Sequence, residues 1–201
     1  QGAKLLERLL AAYGPDAVTI YFGWNDHWLA WVAPDKQLCA LLDRQWRVMK
    51  MIEKSRLLQA LLRAADFLRG GGVPRFSVDT PFRVALADYE ANIARMTLQV
   101  QARGGKALLL TAPSFLTAEH PTTKALCEKT HNFFGPSRIA EVHESYNEAV
   151  RAVARRTNAG LVDLARHFSR DPQAGRFFSD GIHLTPEGHR EVARLVAAEL
   201  R

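Results

Sequence analysis

Apolar positions recur along this chain with two different periods, and the changes of period mark its elements. Between Lys4 and Tyr13, Leu5, Leu6, Leu9 and Leu10 fall at helical spacing, and Gly14-Pro15-Asp16 stops the run. Ala17–Phe22 (AVTIYF), Lys106–Thr111 (KALLLT) and Gly160–Leu164 (GLVDL) are short, apolar and β-prone. Such runs form strands buried on both faces of a parallel sheet. Helical spacing returns over Arg83–Arg103, which Gly104-Gly105 closes, and over about Ser137–Thr157, which Asn158-Ala159-Gly160 closes. The last helix is predicted over Pro186–Leu200, with Thr185 as N-cap and Pro186 at the first helical position. Alternating strands and helices predict one α/β domain over residues 1–201, a parallel sheet with helices on both faces.

Two stretches depart from this rhythm. Lys36–Arg69 reads as an insertion of one or two amphipathic helices, with Leu38, Leu42, Leu58 and Leu62 among its apolar positions, before Gly70-Gly71-Gly72 breaks the pattern. Ser114–Pro136 shows no clear periodicity.

Composition narrows the classes. With 201 residues, 47% of them hydrophobic, the chain can build its own core and needs no bridge between Cys39 and Cys127. No run approaches the ~18–20 apolar residues of a membrane helix. No CxxC, zinc-spaced Cys/His set or HExxH occurs, so neither a metal nor an organic cofactor is expected. The net charge is +6, and the Lys36–Arg69 stretch, with eight basic residues against three acidic ones, supplies most of it. That stretch holds two aromatics, Trp46 and Phe67, of which Trp46 alone is interleaved among its basic residues, and no nucleic-acid-reading motif, so no nucleic-acid partner is expected. A basic amphipathic helix can lie on an anionic membrane surface or cover a lipid-like substrate; more often it packs its apolar face on the body of the protein. Gln1-Gly2-Ala3-Lys4 has neither an initiator Met nor an apolar signal core, so the start reads as truncated and no compartment is assigned. The Ala- and Arg-rich usage suggests a bacterial source.

Ligands of open parallel sheets bind beyond the carboxyl ends of the strands, so the residues just after each strand carry the most information. Gly23-Trp24-Asn25-Asp26-His27-Trp28 follows the first strand, and Ala112-Pro113-Ser114 follows the second. Ser179-Asp180-Gly181-Ile182-His183-Leu184 comes some way after the third. Asp180, three residues before His183, can reach its Nδ1–H, fix the tautomer and leave Nε2 as a general base. The ordinary alternative is an Asp capping a turn beside a surface His. Asn25 can donate to a developing oxyanion without bringing a charge that must be desolvated, and Gly23 lets the backbone approach closely. Its alternative is a plain turn, since Gly, Asn and Asp all favour turns.

Taken together, the two segments resemble a known family. Gly23-Trp24-Asn25-Asp26 is similar to the G-x-N-D block of SGNH hydrolases, the GDSL esterase/lipase superfamily. Asp180-Gly181-Ile182-His183, with Pro186 and Gly188-His189 after it, is similar to that family's D-x-x-H block. The resemblance spans almost the whole chain and matches the helical insertion least. It implies a three-layer flavodoxin-like fold and hydrolysis of small-molecule, glycan or lipid esters. It implies His183 as base, Asp180 as its orienting carboxylate and Asn25 as oxyanion donor, with Gly23 and Asp26 shaping the loop. Trp24, His27 and Trp28 are then expected at or near the pocket.

The family's nucleophile, the Ser of an N-terminal G-D-S block, has no counterpart here. The first strand already matches the family's third, so the missing strands and the nucleophile are expected upstream of residue 1, and strand AVTIYF is expected to expose an unpaired edge. Ser114 lies nearest the right edge of the sheet but not on a strand-to-helix elbow. Two function classes therefore stand: a serine ester hydrolase whose nucleophile lies outside these residues, and a binding or scaffold module that kept the fold and lost the chemistry.

Overall fold

The structure is a computed structural model that describes residues 2–30, 33–40, 55–68, 80–116, 120–129 and 135–201. In chain order its elements are α1 (Gly2–Tyr13), β1 (Ala17–Tyr21), α2 (Arg56–Leu68), α3 (Leu86–Gln101), β2 (Lys106–Leu110), α4 (Pro121–Lys129), α5 (Pro136–Thr157), β3 (Gly160–Val162), α6 (Leu164–Ser169), a 3-10 turn (Ala174–Phe177) and α7 (Pro186–Leu200). The strands pair in parallel in the order β1-β2-β3, with Ile20 opposite Leu109 and Leu110 opposite Val162.

β2 divides the core, because successive side chains of a strand point to opposite faces. Ala107 and Leu109 join α1, α3 and α5 in one cluster that includes Leu6, Leu10, Ile93, Val100, Tyr146 and Val153. Leu108 and Leu110 join Val162, Leu164, Phe168 and Phe177 in the second, which α7 covers with Val192, Leu195 and Val196. Helix–sheet–helix layering is the three-layer flavodoxin-like arrangement. Thr185 caps α7, its hydroxyl accepting from the Gly188 N–H at 3.2 Å, with Pro186 in the first turn.

Three expectations need correction. β1 is not buried on both faces: Val18 and Ile20 turn towards the first cluster, while Thr19 and Tyr21 are exposed. The reason is position, since β1 pairs only with β2 among the described residues, and the second cluster contains no β1 residue. Ser114–Pro136 is not without regular structure. It holds α4, where His120 Nδ1 accepts from the Thr122 N–H at 3.2 Å, a capping interaction that periodicity does not reveal. β3 stops at Val162, because Asp163 turns its side chain to cap α6 instead of continuing the strand. Within the basic insertion, residues 35–40 and α2 are helical, and the intervening residues 41–54 lie outside the described set, as do the three glycines at 70–72. No described helix is long and apolar enough to cross a membrane.

Candidate active site

Three segments meet at the carboxyl edge of the sheet, and hydrogen bonds join them in series. The Trp24 indole Nε1–H donates to the Pro113 carbonyl at 3.3 Å, tying the β1 exit to the β2 exit. The Phe115 N–H donates to the Gly181 carbonyl at 2.8 Å, tying the β2 exit to the segment that carries Asp180 and His183. Trp24, Trp28, Leu116 and Ile182 also pack on one apolar cluster with Cys127 and Ile139. The immediate neighbours of Asn25 and His183 therefore share a single support.

Asp180 and His183 are brought together. Asp180 Oδ1 accepts from the Ile182 N–H at 3.0 Å and the His183 N–H at 2.7 Å, leaving Oδ2 to accept from His183 Nδ1–H at 2.7 Å. Slight burial pushes the Asp180 carboxyl up, but the bonds from His183 and Ile182 outweigh it and hold the group at about 2. The acid is thus an anchored carboxylate, and an acceptor at Nδ1 fixes the neutral ring with its lone pair on Nε2. Among the described residues Nε2 has no hydrogen-bond partner, and the side chain is 77% exposed. Gly181 makes the turn: at φ +83° a side chain is strained, and a Cβ there would lie 2.6 Å from Leu116 and 3.0 Å from the Phe115 carbonyl.

The β1 exit is closed by reciprocal bonds. The Gly23 N–H donates to Asp26 Oδ2 at 3.0 Å, and the Asp26 N–H donates to the Gly23 carbonyl at 3.0 Å. The Val84 N–H donates to the Asp26 carbonyl at 2.9 Å, pinning the loop from behind. Burial raises the Asp26 carboxyl, partly offset by the Gly23 bond and by Arg83. Gly23 has φ +150°, and a Cβ on it would sit 3.0 Å from the Cβ of Ala112, so the loop lies directly on the β2 exit. Asn25, at the tip, is exposed. Trp28 is half-buried, and its carbonyl accepts from the Arg83 N–H at 2.7 Å. His27 turns into the interior, 6% exposed, with Nε2 3.0 Å from His143 Nδ1. Ser114 is half-buried in the irregular segment after β2.

Sequence reasoning placed the helix that holds these exits, α5, but missed the buried polar side chains by which it does so. His143, Asn147 and Arg151 lie four residues apart on α5 and are all buried. The Asn147 side chain accepts from the Ala112 N–H at 2.8 Å and donates to the Ala112 carbonyl at 3.1 Å. Arg151 forks onto Asp163 just past β3. A signal was present: a polar i, i+4, i+8 stripe beside the apolar face of Val142, Tyr146, Val150 and Val153.

Solved structures share this architecture. An α/β hydrolase enzyme called LAE5, from the metagenome of Lake Arreo, Spain, superposes with a TM-score of 0.53 at 16% identity, over 98% of this chain and 65% of its own. TesA gives 0.51 at 19%, over 100% of this chain and 70% of its own. Axe2, an acetylxylan esterase from Geobacillus stearothermophilus, gives 0.51 at 18%, over 98% of this chain and 66% of its own. The chain therefore spans about two thirds of the length of these structures. No curated protein matches it. At such identities the structures testify to the fold alone, and membership rests on the sequence model of one family, which matches residues 1–191: this chain belongs to the GDSL-like lipase/acylhydrolase family.

Proposed function

We propose that this chain carries the general-base and oxyanion side of a Ser-His-Asp ester hydrolase, whose nucleophilic serine precedes residue 1 in a longer polypeptide. The observation that carries the reading is the Asp180–His183 pair, a carboxylate held by two backbone N–H groups and bonded at 2.7 Å to an imidazole that presents Nε2 at the sheet's carboxyl edge. Family membership and the shared fold support an ester as the bond cleaved, in a small-molecule, glycan or lipid substrate. No metal or organic cofactor enters the scheme.

In this scheme the serine hydroxyl attacks the acyl carbonyl and passes its proton to His183 Nε2. Asp180 stays ionised and steadies the imidazolium. The Asn25 amide donates to the carbonyl oxygen as it gains charge, while Gly23 and Asp26 hold the loop and Trp24 and Trp28 wall the pocket. Collapse expels the alcohol, which takes the proton back. Water then repeats the sequence and releases the acid.

The test compares the 201-residue chain with the longer polypeptide on p-nitrophenyl acetate and butyrate. The chain alone is expected to show negligible turnover. In the longer polypeptide, Asn25→Ala should lower kcat by about 10²–10³-fold, the usual loss on removing one oxyanion donor. Serine-dependent turnover by the chain alone, or an undiminished Asn25→Ala rate, would overturn the scheme. No hydrolysis by the longer polypeptide would leave the binding-module reading in its place.

A further inference from the structure

Two buried imidazoles face each other behind the Asn25 loop, and their donor and acceptor roles follow from one carbonyl. The Ala112 carbonyl can only accept, so His143 Nε2, 2.8 Å away, carries a hydrogen. In a neutral ring His143 Nδ1 is then a bare lone pair, and His27 Nε2, 3.0 Å from it, must be the donor. Trp24 stacks on the His143 ring at 4.0 Å with 18° between the planes, and its indole N–H bonds Pro113, the next residue along from Ala112. The loop around Asn25 is thus held on both sides, by Trp24 and by His27, and His143 is the group both touch.

We propose that His143 is the positioning residue for Asn25: a one-way relay from His27 through His143 to Ala112 seats the loop on the β2 exit and releases it when His143 gains a second proton. That proton would have to enter at Nδ1, where it would meet the His27 N–H head-on and break the 3.0 Å contact.

The surroundings favour the neutral pair. Burial, seconded by His143, lowers His27 to about 3; burial lowers His143 to about 4, opposed by its bond to Ala112 and by Glu144. The other titratable groups nearby are Tyr146, whose ring lies edge-on to His27 at 5.3 Å; Asp26, next to His27 in the chain; and Cys127 of α4, in the cluster that packs on Trp24. A histidine lowered in the folded state contributes full stability only above its unfolded value of 6.5. That stability is lost as pH falls from there towards about 4, so the loop should open in that window.

The relay stands on its own geometry; its consequence for catalysis rests on the role proposed for Asn25. Long-range proton–nitrogen NMR on the chain is expected to find both rings in the Nε2–H tautomer at neutral pH, with Trp24 indole exchange slow until mild acid. His143→Phe keeps a stacking ring but loses both bonds, and should speed that exchange by at least about tenfold at neutral pH. His143→Gln can donate to Ala112 and accept from His27 but does not titrate, so it should keep exchange slow and remove the acid-induced opening. An Nδ1–H tautomer at His143, titration of either ring near its ordinary value, or acid opening unchanged in His143→Gln would overturn the proposal. These readouts hold even if His143→Phe does not fold. In the longer polypeptide, His143→Phe should lower kcat with little change in KM. If Asn25→Ala leaves hydrolysis intact while the tautomers are as stated, the oxyanion role of Asn25 fails and the relay stands as a support of the loop alone.

Discussion

Replacing His183 by alanine in the hydrolytically competent polypeptide is expected to lower kcat on the order of 10²–10⁴-fold, the range for loss of a positioned general base. Stability should barely move, since the side chain is 77% exposed and surface changes of this kind usually stay within about 0.5 kcal/mol. Asp180→Asn is the sharper companion variant. The asparagine oxygen can still accept from the Ile182 and His183 N–H groups, so the turn survives. Its amide nitrogen, however, would face His183 Nδ1 as a donor, which selects the tautomer with hydrogen on Nε2 and removes the base. A comparable loss of kcat with an unchanged denaturation midpoint is therefore expected. Because hydrogen bonds hold the Asp180 carboxyl down at about 2, Asp180 should stay ionised and add no limb of its own to the wild-type rate profile at pH values well above that. Near-wild-type kcat/KM in His183→Ala would remove the assignment.

Arg151→Met is expected to cost about 3–5 kcal/mol, the penalty for breaking a buried ion pair by removing one partner. Only 4% of the Arg151 side chain is exposed. Its guanidinium donates to both oxygens of Asp163, at 2.8 and 3.0 Å, and to Glu144 and Glu148. Asp163 in turn accepts from the Thr111 hydroxyl at 3.0 Å and caps α6 through the Arg166 N–H at 3.2 Å. One side chain thus couples α5, the exits of β2 and β3, and the start of α6. Methionine fills much of the volume but leaves the Asp163 carboxylate only the more distant and more exposed Arg166 guanidinium, at 3.6 Å. Against a total stability of about 5–15 kcal/mol, this loss should be plain in a urea titration. Lysine in place of Arg151 should recover little, because a single ammonium cannot fork onto both oxygens. A loss below about 1 kcal/mol, the scale of a surface pair, would show that the network contributes no more than an exposed one.

Local sequence pattern was enough for what depends on local chemistry. The alternation that places β2 in both cores, the Thr185–Pro186 start of α7 and the Asp180-Gly181-Ile182-His183 turn are each set by neighbours within a few residues. Periodicity and capping act at that range, so they can be read without knowing the fold. Ser114–Pro136 defeated the same reasoning because α4 has a short and weakly patterned apolar face. AVTIYF looked like a doubly buried strand because its composition records β propensity, whereas its exposure depends on which strands and helices lie beside it.

By itself, then, the sequence determined the order of the three strands and of the longer helices around them, the family and the two short segments where polar chemistry collects. Only the tertiary structure decided what stands behind them: that His27 faces inward to His143, that Asn147 reads the backbone of Ala112, and that Arg151 gathers Asp163. These partners are separated by 116, 35 and 12 positions in the chain. Contacts of that kind are set by how α5 crosses the strand ends, a property of packing that no run of neighbouring residues encodes.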